Sequence, residues 1–159
     1  MAIPSIILSI SICAALGSGI VNTMIAVGIS SIPTYARVFR SAVISEKSKE
    51  YIEASKAVGA GNARIILRHI LPNSLAPVIV QASLGVAQAI TTAASLSFIG
   101  LGIQPPNPEW GALLSGGRQY IRDYPHMVVY PGIAIMLTVL ALNLIGDGLR
   151  DALDPRLKR

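Results

Sequence analysis

The segment APVIVQASLGVAQAITTAASLSFI, residues 76–99, decides the fold. It contains no Asp, Glu, Lys or Arg. At 1.5 Å per residue, a helix of this length crosses a bilayer hydrocarbon core of about 30 Å. Small residues recur four apart at Gly85, Ala89, Ala93 and Ser97, the spacing that lets helix backbones approach closely in lipid. An ordinary Ala-rich helix would show a similar row. Gln81, Gln88, Thr91 and Thr92 favour a packed helix, because these side chains need partners away from lipid.

Three further apolar runs flank this one. Residues 3–16 are closed by Gly17-Ser18-Gly19 and followed by residues 20–36, which reads as a tight helical hairpin. The first run is short for a span. Pro33 lies in the second, where a membrane helix tolerates a kink. The last run covers residues 127–145. The expected fold is therefore all-α, a polytopic transmembrane helix bundle with about four spans, and no short alternating strands suggest a barrel. Composition agrees. The 159 residues are 52% hydrophobic and 13% charged, against about 25% charged in a soluble domain.

The net charge of +5 is placed as topology, not as a nucleic-acid footprint. Of thirteen Lys and Arg, seven lie between Arg37 and Arg68, two are Arg118 and Arg122, and four lie from Arg150 to Arg159. Basic residues concentrate on the cytoplasmic side. The loop 37–75, the tail 146–159 and both termini are thus expected in the cytoplasm, and the loop 100–126 outside. Within the inner loop, Gly59-Ala60-Gly61 breaks a helical pattern. Asn62 reads as the N-cap of a short helix through Ile70, and Pro72 as a helix boundary. Tyr51, Ile52, Ala54, Ser55 and Val58 can share one face of a short helix that Gly59 ends with a sharp turn. A solvated basic loop would have the same composition. In the outer loop, Pro105, Pro106 and Pro108 add stiffness, and Trp110 suits either a partner contact or the headgroup layer. Asp147, Arg150, Asp151, Asp154 and Arg156 alternate along the tail and can pair on a helix.

Catalytic and metal chemistry find little footing. Lys47-Ser48 follows Glu46, where a phosphate-binding loop needs Gly, so ATP binding by that route is excluded. No span pairs a nucleophile with a base, so an enzyme is not expected. Cys13 is alone in an apolar run, and His69 and His126 are isolated, which leaves no expected metal site.

Glu53-Ala54-Ser55, then Gly59, then Ile70-Leu71-Pro72 resembles the EAA loop of binding-protein-dependent ABC importers, with Ser55 in place of a second Ala. Ile32-Pro33-Thr34-Tyr35-Ala36-Arg37, Arg68 through Asn73, Leu96 through Gly102, Gln104-Pro105-Pro106, Trp110-Gly111 and Gly146 through Arg156 resemble one branch, the dipeptide, oligopeptide and nickel permeases. The likeness is to the second of the two permease subunits and to the C-terminal part of such a protein. It implies an importer that moves peptides or nickel across the cytoplasmic membrane. Glu53, Ala54, Ser55, Gly59, Leu71 and Pro72 would form the coupling element. The implied partners are ATPase subunits that bind the ATP, a second permease subunit, an extracytoplasmic solute-binding protein and membrane lipid. The resemblance implies no cofactor in this chain. A shortened relative that binds other membrane proteins without transporting is the alternative reading.

Overall fold

A computed structural model of the chain describes residues 4–153. Among the described residues the backbone is helical and contains no strand. The elements are α1 (Ser5–Leu16), α2 (Ile20–Lys47), α3 (Glu50–Ala57), α4 (Asn62–Phe98), α5 (Trp110–Gly117) and α6 (His126–Leu153). A single 3-10 turn, Arg118–Tyr120, follows α5. The described chain forms two compact units, residues 4–32 with 85–144 and residues 33–84 with 145–153. The chain passes between them inside α2, α4 and α6.

In the first unit, α1 and α2 form the expected hairpin. Gly17 and Gly19 take φ of 86° and 140°, which only glycine adopts freely. The Asn22 side-chain amide donates to the carbonyls of Leu16 (2.8 Å) and Gly17 (3.2 Å), supplying partners that the end of α1 lacks. Ser9 donates to Ser30 across the pair at 2.7 Å. Cys13, Ala26 and Leu96 form the buried core, with Ile10, Ile12, Val27 and Leu101 packed around it. Cys13 is thus a small packed hydrophobe. Ser97 is buried and Gly85, Ala89 and Ala93 are half-buried, while Ala87, Ala94 and Leu96 complete the covered face of α4.

Four helix limits differ from the sequence expectation. First, α2 does not stop near Ala36 but runs on through Lys47 with Pro33 inside it. The charges at Arg37 and Arg40 mark a change of solvent, and a helix needs no break there. Second, Asn62 does not cap the short helix, and the boundary expected at Pro72 is a change of helix type, from a π turn that ends at Ile70 to α-helix from Leu71, within one continuous run. Gly61 occupies the cap and one helix runs from Asn62 to Phe98. A π turn at Ile66–Ile70 ends two positions before the proline. The turn is wider than an α turn, with i→i+5 bonding, and the helix continues through Pro72 and Pro77. Third, the outer loop is not irregular throughout, since it contains α5. The Glu109 carboxylate accepts from the Ala112 amide at 2.7 Å and caps that helix. Gly111 lies so close to α4 that a Cβ there would stand 2.0 Å from the Ala94 carbonyl oxygen. The strand of loop before α5 is tied down by Ser97. Its hydroxyl accepts from the Ile103 amide (3.0 Å), and its carbonyl accepts from the Gln104 side chain (3.1 Å). Fourth, α6 continues past Ile145 to Leu153, so Asp147, Arg150 and Asp151 are helical. Asp154 and Arg156 lie outside the described residues, as does residue 3 at the start of the first run.

Among the described residues two helices, Asn62–Phe98 and His126–Leu153, are long and apolar enough to cross a membrane. The apolar α1 is short. Polar residues from Asn22 to Arg37 dilute α2. Of the four expected spans, two therefore meet the length and composition requirement on their own.

Candidate functional site

The second unit is built around α3. The short helix follows Lys49 and ends where Gly59 turns left-handed at φ 82°. The Ala60 amide donates to the Ser55 carbonyl (3.1 Å) and the Gly59 amide to the Lys56 carbonyl (2.9 Å). These two bonds are the Schellman arrangement, which closes a helix and satisfies its last carbonyls. Nothing lies within 4 Å of a Cβ added at Gly59, so backbone conformation alone selects glycine there.

The helix is held by its apolar side. Ile52 is completely buried and packs with Ile65 and Ile70, and Val43 and Ala60 lie against the cluster. A polar arm holds the N-terminal end. Tyr51 donates to Glu46, Lys49 pairs with the other Glu46 oxygen at 2.6 Å, and the Asn73 amide donates to Tyr51 at 3.3 Å and to the His69 carbonyl at 2.7 Å. The Tyr51 and His69 rings meet edge-on at 6.0 Å. Burial pushes the Glu46 carboxyl up, but hydrogen bonds from Lys49 and Tyr51 and the lysine charge outweigh it and hold the group below its usual range. Its hydrogen bond to Glu46, aided by burial, holds the Tyr51 phenol above its usual value.

The sequence-derived residues fall in two places. Glu53 and Ala54 are exposed on α3, Gly59 sits in the exposed turn, and Ser55 is half-buried with its hydroxyl on the Tyr51 carbonyl at 2.7 Å. Leu71 is half-buried and faces the groove beneath α3, while Pro72 is exposed on α4. The single face expected for Tyr51, Ile52, Ala54, Ser55 and Val58 does not exist. Ile52 turns inward, while Ala54 and Val58 face out, Val58 being 84% exposed. The anchors Glu46, Asn73, Ile65 and Ile70 were not found from sequence. Ile65 and Ile70 are five apart, off one face of an α-helix at about 100° per residue, and only the π turn brings both against Ile52. The spacing of Glu46 and Lys49, three apart with opposite charges, was the available signal for the arm.

A short helix fastened by the buried Ile52 presents the Glu53 carboxylate outward, on an all-helical chain with two membrane-length helices among the described residues. The chain belongs to the family described as binding-protein-dependent transport system inner membrane component, which it matches over residues 1–159. It is 56% identical over 158 residues to the dipeptide transport system permease protein DppC of Alkalihalophilus pseudofirmus, covering 99% of this chain and 52% of that one. It is 51% identical over 158 residues to the di/tripeptide transport system permease protein DppC of Pseudomonas aeruginosa, again 99% of this chain and 52% of that one. Identity to the glutathione transport system permease protein GsiD of Escherichia coli is 50% over 157 residues, with the same two coverages, 99% and 52%. The chain thus spans about half the length of these relatives and matches their C-terminal part.

Proposed function

We propose that this chain forms membrane-embedded structure of a peptide importer and that the outer face of α3 is the seat of an ATPase subunit. The observation that carries the reading is the division of α3: Ile52 fully buried, Glu53 and Ala54 exposed beside it. A helix held in this way transmits force, and its small exposed residue allows a partner to approach closely. Glu53 offers a charge-assisted hydrogen bond to a basic group across the contact. ATP would be bound and hydrolysed by the partner subunits. Closure of those subunits would move α3, and the continuous helices α2 and α4 would carry the motion toward the membrane. Such transport requires ligands that prefer one of two states. Here they are ATP and a loaded solute-binding protein, with a second permease subunit completing the path.

Short peptides are the proposed cargo. The three relatives are named for dipeptides, di- and tripeptides, and glutathione, and nickel has no comparable support. Charge supports an orientation with residues 37–75 and both termini in the cytoplasm, since Arg118 and Arg122 alone of the thirteen basic residues lie in the 100–126 segment.

The test measures uptake of a radiolabelled dipeptide in the host together with the amount of chain in its membranes. Glu53→Arg is expected to leave the membrane level unchanged and to lower uptake about tenfold or more, equivalent to about 1.4 kcal/mol or more of coupling. Normal uptake by this variant would overturn the coupling role.

A further inference from the structure

Gln88 stands at the middle of the apolar run 76–99, about 17 Å of helix from either end. In a membrane-crossing helix that is mid-bilayer depth. Between residues 85 and 95, α4 exposes Val86, Gln88, Thr91 and Ser95. At about 100° per residue, Thr91 and Ser95 fall within about 60° of Gln88, while Val86 falls about 160° away. One exposed face of the helix is therefore polar and the opposite one apolar. The neighbouring helices differ. Exposed residues from Ile20 to Ile32 of α2 and from Ile133 to Leu144 of α6 are apolar or glycine throughout. We infer that the Gln88 face of α4 lines an aqueous path through the membrane, and that the Gln88 amide hydrogen-bonds the backbone of a peptide passing along it. The inference rests on the import reading above.

Hydrogen bonding selects this occupant. The hydroxyls of Thr91, Thr92 and Ser95 donate to carbonyls four residues back, at 3.0, 2.8 and 2.8 Å. Each oxygen can still accept a bond. The Gln88 side chain makes no hydrogen bond among the described residues, which leaves two donors and a carbonyl oxygen unused. Hydrocarbon supplies no partner for them. A close-packed second helix suits the face no better. Helices approach each other in lipid through small residues, and on α4 Ala87 and Ala94 are already buried within the fold, Ala94 against Gly111. The long Gln88 side chain holds a neighbouring backbone off. Water and an extended peptide can both meet a projecting amide.

Cargo chemistry agrees with the lining. The run 76–99 carries no charged residue. The relatives are named for dipeptides, di- and tripeptides, and glutathione. Such cargoes share amide groups and differ in side chains. A neutral row of one amide and three hydroxyls can read the shared part and makes no demand on side-chain charge.

The test replaces one residue at a time, as Gln88→Cys, Thr91→Cys, Ser95→Cys or Val86→Cys, each with Cys13→Ala, in host membranes. A charged methanethiosulfonate reagent modifies thiols in water and spares those in hydrocarbon. The three variants on the polar face are expected to react at least about tenfold faster than Val86→Cys, with ATP present or absent. Thr91→Cys and Ser95→Cys exchange small residues for small, so the comparison does not hang on Gln88→Cys. In parallel, Gln88→Leu is expected to raise the KM for alanylalanine uptake about tenfold at an unchanged membrane level, and Gln88→Asn to restore part of it. Equally slow reaction at all four positions, with and without ATP, would overturn the path in favour of a face covered by lipid or another helix. Fast reaction on the polar face with an unchanged KM in Gln88→Leu would overturn the peptide contact. Both failures leave the import reading standing. Failure of the parent chain to support alanylalanine uptake would overturn that reading, and the peptide contact with it.

Discussion

Gly59 and Ile52 carry most of the second unit's local logic. Gly59 sits at φ 82° with open space around its Cβ position. Gly59→Ala is therefore expected to cost about 1–2 kcal/mol from backbone conformation alone, seen as a lower midpoint in thermal unfolding in detergent, with Gly59→Asn costing less. Ile52 is fully buried, so Ile52→Ala is expected to cost about 2–5 kcal/mol by leaving a cavity against Ile65 and Ile70. The two differ in legibility. Glycine after a short helix announces its turn in the sequence. The inward direction of Ile52 was not readable, because α3 is too short to show a period and its neighbours Tyr51 and Val58 are also apolar.

Elements, not single residues, account for the remaining surprises. Neither a proline nor a change of polarity is by itself a helix stop in this chain. Pro72 falls in the first turn of α-helix after the π turn at Ile66–Ile70, inside one continuous run, and α2 crosses from apolar to basic sequence without interruption. Eight residues with three glycines carry little helical signal for α5, yet one of them, Gly111, permits its close approach to α4. Gly111→Ala would force a Cβ into the Ala94 carbonyl. It is expected to detach α5 and expose the segment 100–125 to limited proteolysis, which Gly116→Ala, with no atom within 4 Å, should not. The arm at Glu46 predicts a pH dependence. Its folded pKa lies below the unfolded value of about 4.3. Its contribution is complete above that pH and is lost as pH falls through the folded value. Tyr51→Phe removes one of the bonds that lower the pKa, so the variant is expected to lose less stability than the parent between roughly pH 5 and pH 3, followed by thermal unfolding at each pH.

For the whole molecule, the class was legible from the apolar run at 76–99 and from the confinement of basic residues to a few segments. Spacing from Glu53 through Gly59 to Leu71-Pro72 pointed to the family to which the chain belongs. Which of those residues are exposed required the fold, because Leu71 and Glu53 share a motif but lie on opposite sides of α3's attachment, one lining the groove and one in solvent. The central claim is that α3 seats an ATPase subunit through Glu53. Co-purification of the tagged chain from host membranes in mild detergent tests it most directly, with the ATPase subunit quantified by mass spectrometry. The account predicts specific retention of that subunit by the parent chain and at least about a tenfold loss, or about 1.4 kcal/mol, in Glu53→Arg at equal chain recovery. Equal retention by the two chains, or no ATPase with either, would contradict it.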